Sequence, residues 1–309
     1  MCTALTPCRY PLLLMAVLVL ASQSNGQTQS NPATRQPLQL TLQSPLLSED
    51  RRILVRLPRH YELDTAARYP VLYKFDGDNQ LERYNDSIDI LHSIDAIPDL
   101  IVVAIPNGRG LRNRDLTPAS LHQDGSENGQ MGVGEMEQGD RFLDFVEQEL
   151  IPYIEKNYRT TQERLLAGHS RGALLVLQSL LSKLDLFQAR FMFSAPLMRD
   201  EQQLIVDTRK SFRQNAGLKS FLYCNWGEAE NEGMNKSYNA MKVLLTSEAP
   251  KGLHWTIERA RAADHQQTPI IALPSALCGY FASRPKMSLV QTNRKAQVTS
   301  GSTIQEPRR

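Results

Sequence analysis

The stretch Leu165-Leu-Ala-Gly-His-Ser-Arg-Gly-Ala-Leu-Leu175 indicates the fold of this chain. Its first three residues have the apolar character of a short buried strand, and residues 173–184 are rich in leucine and alanine, as a helix is. Between them, Gly168 and Gly172 supply the small residues that a tight strand-to-helix turn needs on both sides of an exposed serine. The N–H groups at the start of the helix favour a negative charge that develops at that serine. We therefore predict that Ser170 is a nucleophile.

Apolar runs and amphipathic stretches alternate on both sides of this turn. The runs at 70–75 and 100–105 are rich in β-branched residues and almost continuously apolar, which is typical of strands buried on both faces. The same patterns predict further strands at 165–167, 189–194, 218–226 and 254–258, and helices at 81–94, 142–153, 173–184, 235–245 and 268–281. This alternation predicts an α/β fold, with a mostly parallel central sheet and helices on both faces. Alternating apolar residues at 38–43 and 51–57 predict an antiparallel hairpin at the sheet edge.

The two ends of the chain differ in composition from this region. Arg9 precedes an apolar run at 11–21, which is too short to cross a bilayer comfortably and has the flanks of a cleaved export peptide. We predict a signal peptide at 1–26, a polar linker at 27–37, one α/β domain at 38–285 and a disordered tail at 286–309. The expected location is periplasmic or secreted, with no stable membrane insertion after cleavage. An uncleaved membrane anchor is the alternative.

The composition restricts the kinds of partner and cofactor. The net charge is +2 and the sequence has no stripe of interleaved basic and aromatic residues, so we expect no binding to nucleic acid. It also has no metal-ligand spacing, so we expect neither a metal nor an organic cofactor. After loss of the signal peptide, Cys224 and Cys278 are the cysteines that remain, and whether they pair is open, as is the oligomeric state. The Gly-rich stretch 107–134 predicts a long loop without a domain boundary.

A serine nucleophile needs a base, and chain order selects one histidine. The predicted mature chain contains His60, His92, His122, His169, His254 and His265. His265 follows the last predicted strand and precedes the last predicted helix, where the order serine, acid, histidine places the base in this architecture. His169 neighbours the serine, but adjacent residues of such a turn point in different directions. We therefore predict that His265 is the base.

The acid is expected after the strand that ends at Trp226. Three carboxylates follow it, Glu228, Glu230 and Glu232, and their spacing alone does not separate them. The task of the acid is to hold the tautomer of His265 and to stabilise its charged form, so only one of them has to reach the imidazole.

The oxyanion hole needs two backbone donors. One is the N–H of Arg171, directly after the serine. The other is expected after the strand at 70–75, where Gly77 lets the chain turn closely and the N–H of Asp78 or Asn79 can face the ester oxygen.

Several short motifs together resemble one known family. They are Tyr69-Pro-Val-Leu-Tyr-Lys-Phe-Asp-Gly77, Ile105-Pro-Asn107, Arg114-Asp-Leu-Thr-Pro118, Gly168-His-Ser-Arg-Gly172 and Gly227-Glu-Ala-Glu230, with His265. This set resembles the putative esterase family of the α/β-hydrolases, which includes esterase D, enterobactin-type siderophore esterases, feruloyl esterases and bacterial mycolyltransferases. The similarity covers residues 38–281.

The resemblance implies an α/β-hydrolase fold and roles for particular residues. Ser170 and His265 correspond to the nucleophile and base of the family, and the family's acid, a glutamate three residues after a glycine that ends the strand, corresponds to Glu230. Asn107 and Arg114 lie in shared motifs and are implied as substrate-binding residues. Arg171 stands where many relatives have Met or Tyr, and we expect its side chain to face solvent or to form a salt bridge, with contact to an anionic substrate as the alternative.

These implications predict a serine esterase that cleaves a carboxylic ester through an acyl-enzyme. The substrate class implied is a small-molecule ester, of siderophore type or another small ester. Two alternatives use the same fold: an acyltransferase with the same triad, and a binding module that has lost catalysis.

Overall fold

The computed structural model describes residues 36–121 and 138–284 of the 309 residues. The predicted signal peptide, linker residues 27–35 and the predicted tail lie outside the described residues, as does His122 with the rest of the 122–134 part of the predicted loop.

Within the described residues, eight strands form one sheet, which confirms the predicted mostly parallel sheet with an antiparallel N-terminal hairpin. The strands are β1 (Leu38–Ser44), β2 (Glu49–Arg56), β3 (Tyr69–Phe75), β4 (Ile101–Ile105), β5 (Thr160–His169), β6 (Ala189–Phe193), β7 (Ser220–Gly227) and β8 (Leu253–Ala260). Their spatial order is β1-β2-β4-β3-β5-β6-β7-β8. The pairs β1–β2 and β2–β4 are antiparallel, and all other neighbours are parallel.

Helices connect the parallel strands. They are α1 (Leu81–Ser93), α2 (Arg112–Leu116), α3 (Gly139–Phe145), α4 (Ile151–Asn157), α5 (Arg171–Ser182), α6 (Gln203–Gln214), α7 (Glu232–Glu248) and α8 (Thr268–Ser283). A π-helical turn at Val146–Leu150 joins α3 to α4, and a 3₁₀ turn at Arg199–Gln202 precedes α6. In the described part of the chain, no helix combines the length and the apolar character that a membrane span requires.

Both faces of the sheet are covered, as the side chains of β3 illustrate. Val71, Tyr73 and Phe75 join one hydrophobic cluster, which includes residues of α3 to α7. Leu72 joins a second cluster on the opposite face, which includes residues of α1 and α8. Successive side chains of a strand point to opposite faces, so a strand covered on both sides must be apolar throughout. Burying each such side chain stabilises the fold by about 1.5–3 kcal/mol.

A buried arginine of β6 attaches the C-terminal end of α5 to the sheet. The guanidinium of Arg190 donates to the backbone oxygens of Ser179 at 3.1 Å, Lys183 at 2.6 Å and Phe187 at 2.8 Å. Each of these oxygens also accepts from another group of the chain, so the guanidinium adds a second donor to each of them where the helix ends. These contacts help to determine where α5 lies and therefore where its N-terminus, at the predicted nucleophile, lies.

Two helices were not predicted from the sequence. Helix α2 lies in the stretch predicted as loop, and it has only five residues, too few for a periodic pattern. Helix α6 is mostly polar and buries only a narrow stripe that includes Leu204, Ile205 and Phe212. Tertiary packing of these few apolar residues stabilises a segment that its composition alone does not mark as a helix.

Candidate active site

Ser170 occupies a strained turn between β5 and α5. Its φ of 55° and ψ of −124° are unusual for a residue with a side chain, and its N–H donates to Phe193 O on the neighbouring strand β6 at 2.8 Å. A Cβ atom at Gly168 would lie 2.5 Å from the backbone oxygen of Gly172, so the turn excludes any larger residue at Gly168. The structure therefore has the tight strand-to-helix turn that the sequence predicts, with the serine at its apex.

His265 lies in the loop between β8 and α8, with a half-buried side chain. Its Nδ1 is 2.8 Å from Oε2 of Glu230. Because a carboxylate only accepts hydrogen bonds, Nδ1 carries the proton and Nε2 presents a lone pair. This is the tautomer that a general base for a serine hydroxyl requires.

Glu230 lies in the turn after β7, with only 4% of its side chain exposed. Its Oε1 accepts from Ser194 Oγ at 2.6 Å and from the N–H of Gly227 at 2.7 Å. Burial alone would raise the pKa of Glu230, but the hydrogen bonds from His265, Ser194 and Gly227 outweigh it and lower that pKa below its ordinary value. The carboxylate is therefore charged and oriented toward His265.

The other two candidate acids have different partners. Glu228 accepts from the N–H of Ala262 at 3.0 Å and pairs with Arg259 at the surface. Glu232, at the start of α7, pairs with Lys236 at 2.7 Å. Of the three carboxylates that spacing alone left open, the one in contact with His265 is Glu230, which the resemblance implied as the acid.

Ser170 and His265 line one cleft of about 380 Å³ at the carboxyl end of the sheet. The residues that line it are Asp76, Asp78, Asn79, Asn107, Arg112, His169, Ser170, His265 and Gln266. They come from segments that follow β3, β4, β5 and β8, which the parallel sheet brings to the same edge. Every one of these described lining residues is polar.

The turn after β3 positions the second predicted oxyanion donor. The N–H of Gly77 donates to Ile105 O at 2.9 Å, and the N–H of Asn79 donates to Asp76 O at 2.9 Å. The N–H of Asp78 between them has no acceptor among the described residues, and Asp78 lines the cleft. The geometry thus favours Asp78 over Asn79 as the donor, while the N–H of Arg171 lies in the first turn of α5, directly after the serine.

A buried carboxylate in this turn was not singled out from the sequence. Asp76 accepts from Asn107 Nδ2 at 2.5 Å and from Arg112 Nε at 2.6 Å and Nη2 at 2.9 Å. Burial opposes ionisation of Asp76, but the arginine and Asn107 lower its pKa below the ordinary value. The available signal was that Asp76 and Asn107 each follow a buried strand, and that such strand ends meet when the strands are neighbours.

The structure does not bring Arg114 to the cleft, contrary to the substrate-binding role that the resemblance implied. Its guanidinium pairs with Glu49 and Asp115, both at 2.7 Å, and so attaches α2 to β2. The arginine of this segment that lines the cleft is Arg112, two positions earlier. Asn107, for which the resemblance implied a substrate-binding role, lines the cleft, with its amide directed to Asp76.

The side chain of Arg171 is buried rather than exposed to solvent. Its Nη1 donates to Thr117 Oγ1 at 2.8 Å, and it is absent from the described residues that line the cleft. Cys224 and Cys278 are not joined by a disulfide. Within 36–121 and 138–284, no group of three or more His, Cys, Asp or Glu residues is arranged to hold a metal ion.

Comparison with known proteins agrees with this architecture. The model of the family described as Putative esterase matches residues 44–260, from the end of β1 to the end of β8. Ferri-bacillibactin esterase BesA of Bacillus subtilis (strain 168) is 30% identical over 182 residues, which are 54% of this chain and 60% of that protein. The chain therefore spans less than two thirds of this relative's length. His265 lies just beyond the family match, so its assignment depends on its contact with Glu230.

Two solved structures have the same fold. An IroE-like serine hydrolase from Shewanella oneidensis is 26% identical, with a TM-score of 0.68 and coverage of 79% of each chain. The siderophore hydrolase EstB from Aspergillus nidulans is 19% identical, with a TM-score of 0.64 over 82% of this chain and 97% of that one. These likenesses show that the chain has the fold of the α/β-hydrolases.

Proposed function

The chain belongs to the putative esterase family, and from this membership we propose that it hydrolyses a carboxylic ester through an acyl-enzyme on Ser170. The observation that carries the proposal is the shared cleft. It contains the serine of the strained turn and the histidine whose Nδ1 contacts a buried glutamate. The roles proposed are Ser170 as nucleophile, His265 as base and Glu230 as the acid that orients it.

The first half of the reaction acylates the serine. Ser170 Oγ attacks the ester carbonyl carbon while His265 Nε2 accepts the hydroxyl proton. The N–H groups of Arg171 and Asp78 donate to the oxyanion of the tetrahedral intermediate. The intermediate then breaks the bond between the carbonyl carbon and the alcohol oxygen, and the alcohol leaves with the proton from His265.

The second half releases the acid. Water transfers a proton to His265 Nε2 as its oxygen attacks the acyl carbon. The bond between that carbon and Ser170 Oγ breaks, and the serine oxygen regains the proton from His265. Through both halves the ionised Glu230 stabilises the imidazolium that forms.

The lining of the cleft supports a small, polar substrate. Its described residues provide no aliphatic wall for a long acyl chain, since all of them are polar. Arg112, with 38% of its side chain exposed, lines the cleft with its charge paired to Asp76, so the pair offers polar groups without a net charge. Two of the similar proteins are named as acting on siderophores, a ferri-bacillibactin esterase and a siderophore hydrolase. We therefore favour a siderophore-type ester over a long-chain lipid ester.

The location proposed is periplasmic or secreted, which is where a cleaved signal peptide would direct the chain. The support is compositional: Arg9 followed by the short apolar run at 11–21. Expression of the full chain and mass spectrometry of the exported product tests this, and a product that retains residues 1–26 in the cell membrane would contradict it.

The experiment that tests the activity needs no knowledge of the substrate. The purified protein is treated with a fluorophosphonate probe, and the modified residue is mapped by mass spectrometry, with Ser170→Ala and His265→Ala as controls. We expect stoichiometric labelling at Ser170 in the wild type and none at this position in either variant. A folded wild-type protein that is not labelled would contradict the proposal and favour a binding module.

A panel of esters then separates the remaining possibilities. We expect short and polar esters, a siderophore-type ester among them, to be cleaved faster than a long-chain ester such as a palmitate. Product analysis with and without an added alcohol distinguishes hydrolysis from transfer. A product that carries the acyl group on the added alcohol, in excess over free acid, would identify an acyltransferase.

A further inference from the structure

The residue before the nucleophile contacts the loop that carries the base. His169 ends β5 and is only 8% exposed. Its Nε2 is 2.7 Å from the backbone oxygen of His265, and the two imidazole rings pack with their centroids 4.6 Å apart. Strand β5 therefore contacts the base directly, in addition to presenting the serine.

The contact determines the protonation of His169. A backbone carbonyl only accepts, so Nε2 of His169 carries a proton and donates it. Burial, and then the neighbouring His265, lower the pKa of His169 to about 4, while its hydrogen bond to the His265 carbonyl and the charge of Asp76 act in the opposite direction. At neutral pH the ring is uncharged, so it adds no second positive charge beside the imidazolium that His265 forms during turnover.

A second donor reaches the same carbonyl but is shared. Thr268 Oγ1 is 3.1 Å from His265 O and 2.7 Å from Ser194 Oγ. The hydroxyl of Ser194 donates its proton to Glu230, so it can only accept from Thr268. The single hydroxyl proton of Thr268 is therefore shared between Ser194 Oγ and His265 O. His169 is therefore the donor dedicated to the His265 carbonyl.

We propose that His169 is a positioning residue for the base: its Nε2–H holds the backbone of His265 in place relative to Ser170. The role rests on the proposed function of Ser170 and His265. Glu230 determines the tautomer of the imidazole through Nδ1, and His169 determines the position of the residue through its carbonyl. His169 and Ser170 are consecutive residues at the end of β5. The hydrogen bond from His169 therefore restrains any shift of the His265 loop relative to the serine.

Two substitutions of His169 distinguish the effect of its hydrogen bond from the effect of the space that its ring fills. His169→Leu fills similar space without a donor, whereas His169→Gln keeps an N–H at a reach close to that of Nε2. We expect His169→Leu to lower kcat by about 10–100-fold with little change in KM, because misplacing a catalytic group by about 1 Å costs this much. His169→Gln should recover kcat to within about fivefold of wild type, because it restores the hydrogen bond.

A matched control is a histidine far from the cleft. His254 is exposed near the start of β8, whereas the cleft lies at the carboxyl ends of the strands. His254→Leu should leave kcat, KM and the rate of fluorophosphonate labelling unchanged. Equal labelling rates and kcat values in wild type and His169→Leu would overturn the positioning role while leaving the proposed function intact. A wild type that is not labelled would overturn the proposed function itself.

A spectroscopic measurement tests the hydrogen bond between His169 and the His265 carbonyl independently of activity. In wild-type protein with ¹⁵N-labelled histidine, we expect one imidazole to stay neutral with its proton on Nε2 between pH 5 and 8. That signal should be missing in His169→Gln, which assigns it to His169. The glutamine variant is used for this assignment because it is expected to fold even if His169→Leu does not. If the His169 signal instead titrates like that of a solvated histidine, the ring does not hold the His265 carbonyl through Nε2–H, and the inference is wrong.

Discussion

His265 has two ring nitrogens, and the Glu230 carboxylate determines which of them carries the proton. Hydrogen bonds from Ser194 and from the N–H of Gly227 hold the other carboxylate oxygen, so Glu230 does not rotate away without losing buried contacts. In the sequence Glu228 and Glu230 are chemically the same and two positions apart. At the residue scale, the hydrogen-bond partners separate them.

We expect Glu230→Gln to lower kcat by about 10³–10⁴-fold with little change in KM, because the amide no longer enforces the tautomer or stabilises the imidazolium. Hydrolysis of a short chromogenic ester and the rate of fluorophosphonate labelling at Ser170 measure the effect.

The matched control for this prediction is Glu228→Gln, since Glu228 is exposed and pairs with Arg259 at the surface. Surface ion pairs contribute little, so we expect its kcat to stay within about twofold of wild type. A large loss in the Glu228 variant, with activity retained in the Glu230 variant, would reverse the assignment.

Two turns position the reacting groups at the scale of secondary-structure elements. The turn between β5 and α5 holds Ser170 with a positive φ, a conformation that costs about 1–3 kcal/mol and that the surrounding structure must enforce. The turn after β3 packs Gly77 against the end of β4, where a Cβ would lie 2.5 Å from Ile105 N. Both turns depend on a glycine because backbone atoms of another segment occupy the space of a side chain.

We expect Gly168→Ala to reduce the free energy of unfolding by about 1–3 kcal/mol, because its methyl group forces α5 away from β5. The labelling rate of Ser170 should fall at the same time, since the serine moves relative to His265. Urea unfolding and fluorophosphonate labelling test the two parts of this prediction.

Gly217→Ala is the control for this change. A Cβ at Gly217 would meet no atom within 4 Å, so the substitution should leave labelling unchanged. It should stabilise the protein slightly or not at all, by up to about 1 kcal/mol, because alanine restricts the unfolded chain more than glycine does. Equal stability and labelling in the two alanine variants would show that the close approach at Gly168 is unimportant.

At the scale of the whole molecule, the parallel sheet assembles the cleft from distant parts of the chain. Segments that follow β3, β4, β5, β7 and β8 all meet at the carboxyl edge, so Asp78, Ser170, Glu230 and His265 lie together although 187 positions separate the first from the last. The assembly also buries ionisable groups. His169 is one of them, and its burial links the stability of the fold to pH.

We expect the stability of the wild type to fall between pH 6.5 and pH 4 in part because of His169. The pKa of His169 is about 4 in the folded protein and that of an ordinary histidine is 6.5, so the unfolded chain binds more protons in this window. The contribution is present in full above pH 6.5 and is lost as the pH falls towards 4. By pH 4.5 this loss amounts to about 2–3 kcal/mol.

Urea unfolding at pH 7 and pH 4.5 measures this contribution by difference. The lowered pKa values of Asp76 and Glu230 also make the fold less stable in acid. Both carboxylates are present in the wild type and in His169→Gln, so their contribution cancels in the comparison. The variant should therefore lose about 2–3 kcal/mol less than the wild type between the two pH values. Parallel losses in both proteins would mean that His169 is not buried as a neutral ring.

The sequence by itself determined the fold class and the kinds of residue at the site. Continuous apolar runs predict strands buried on both faces, and a serine between two glycines at a strand-to-helix junction predicts the turn that holds Ser170. These features are local, so a short window of sequence contains them. Chain order added His265, because in this fold the last loop before the last helix meets the nucleophile.

The spacing of the carboxylates left the acid open and the resemblance implied Glu230; the tertiary structure shows its contact with the histidine, and it alone decided which arginine reaches the cleft. Glu230 rather than Glu228 contacts His265, and Arg112 rather than Arg114 lines the cleft, because these contacts depend on side-chain direction across segments far apart in the chain. The same holds for His169, whose partner is a backbone oxygen 96 positions away. The contacts of Arg112 and His169 arise from how the strands and loops pack, and no local pattern of residue types predicts them.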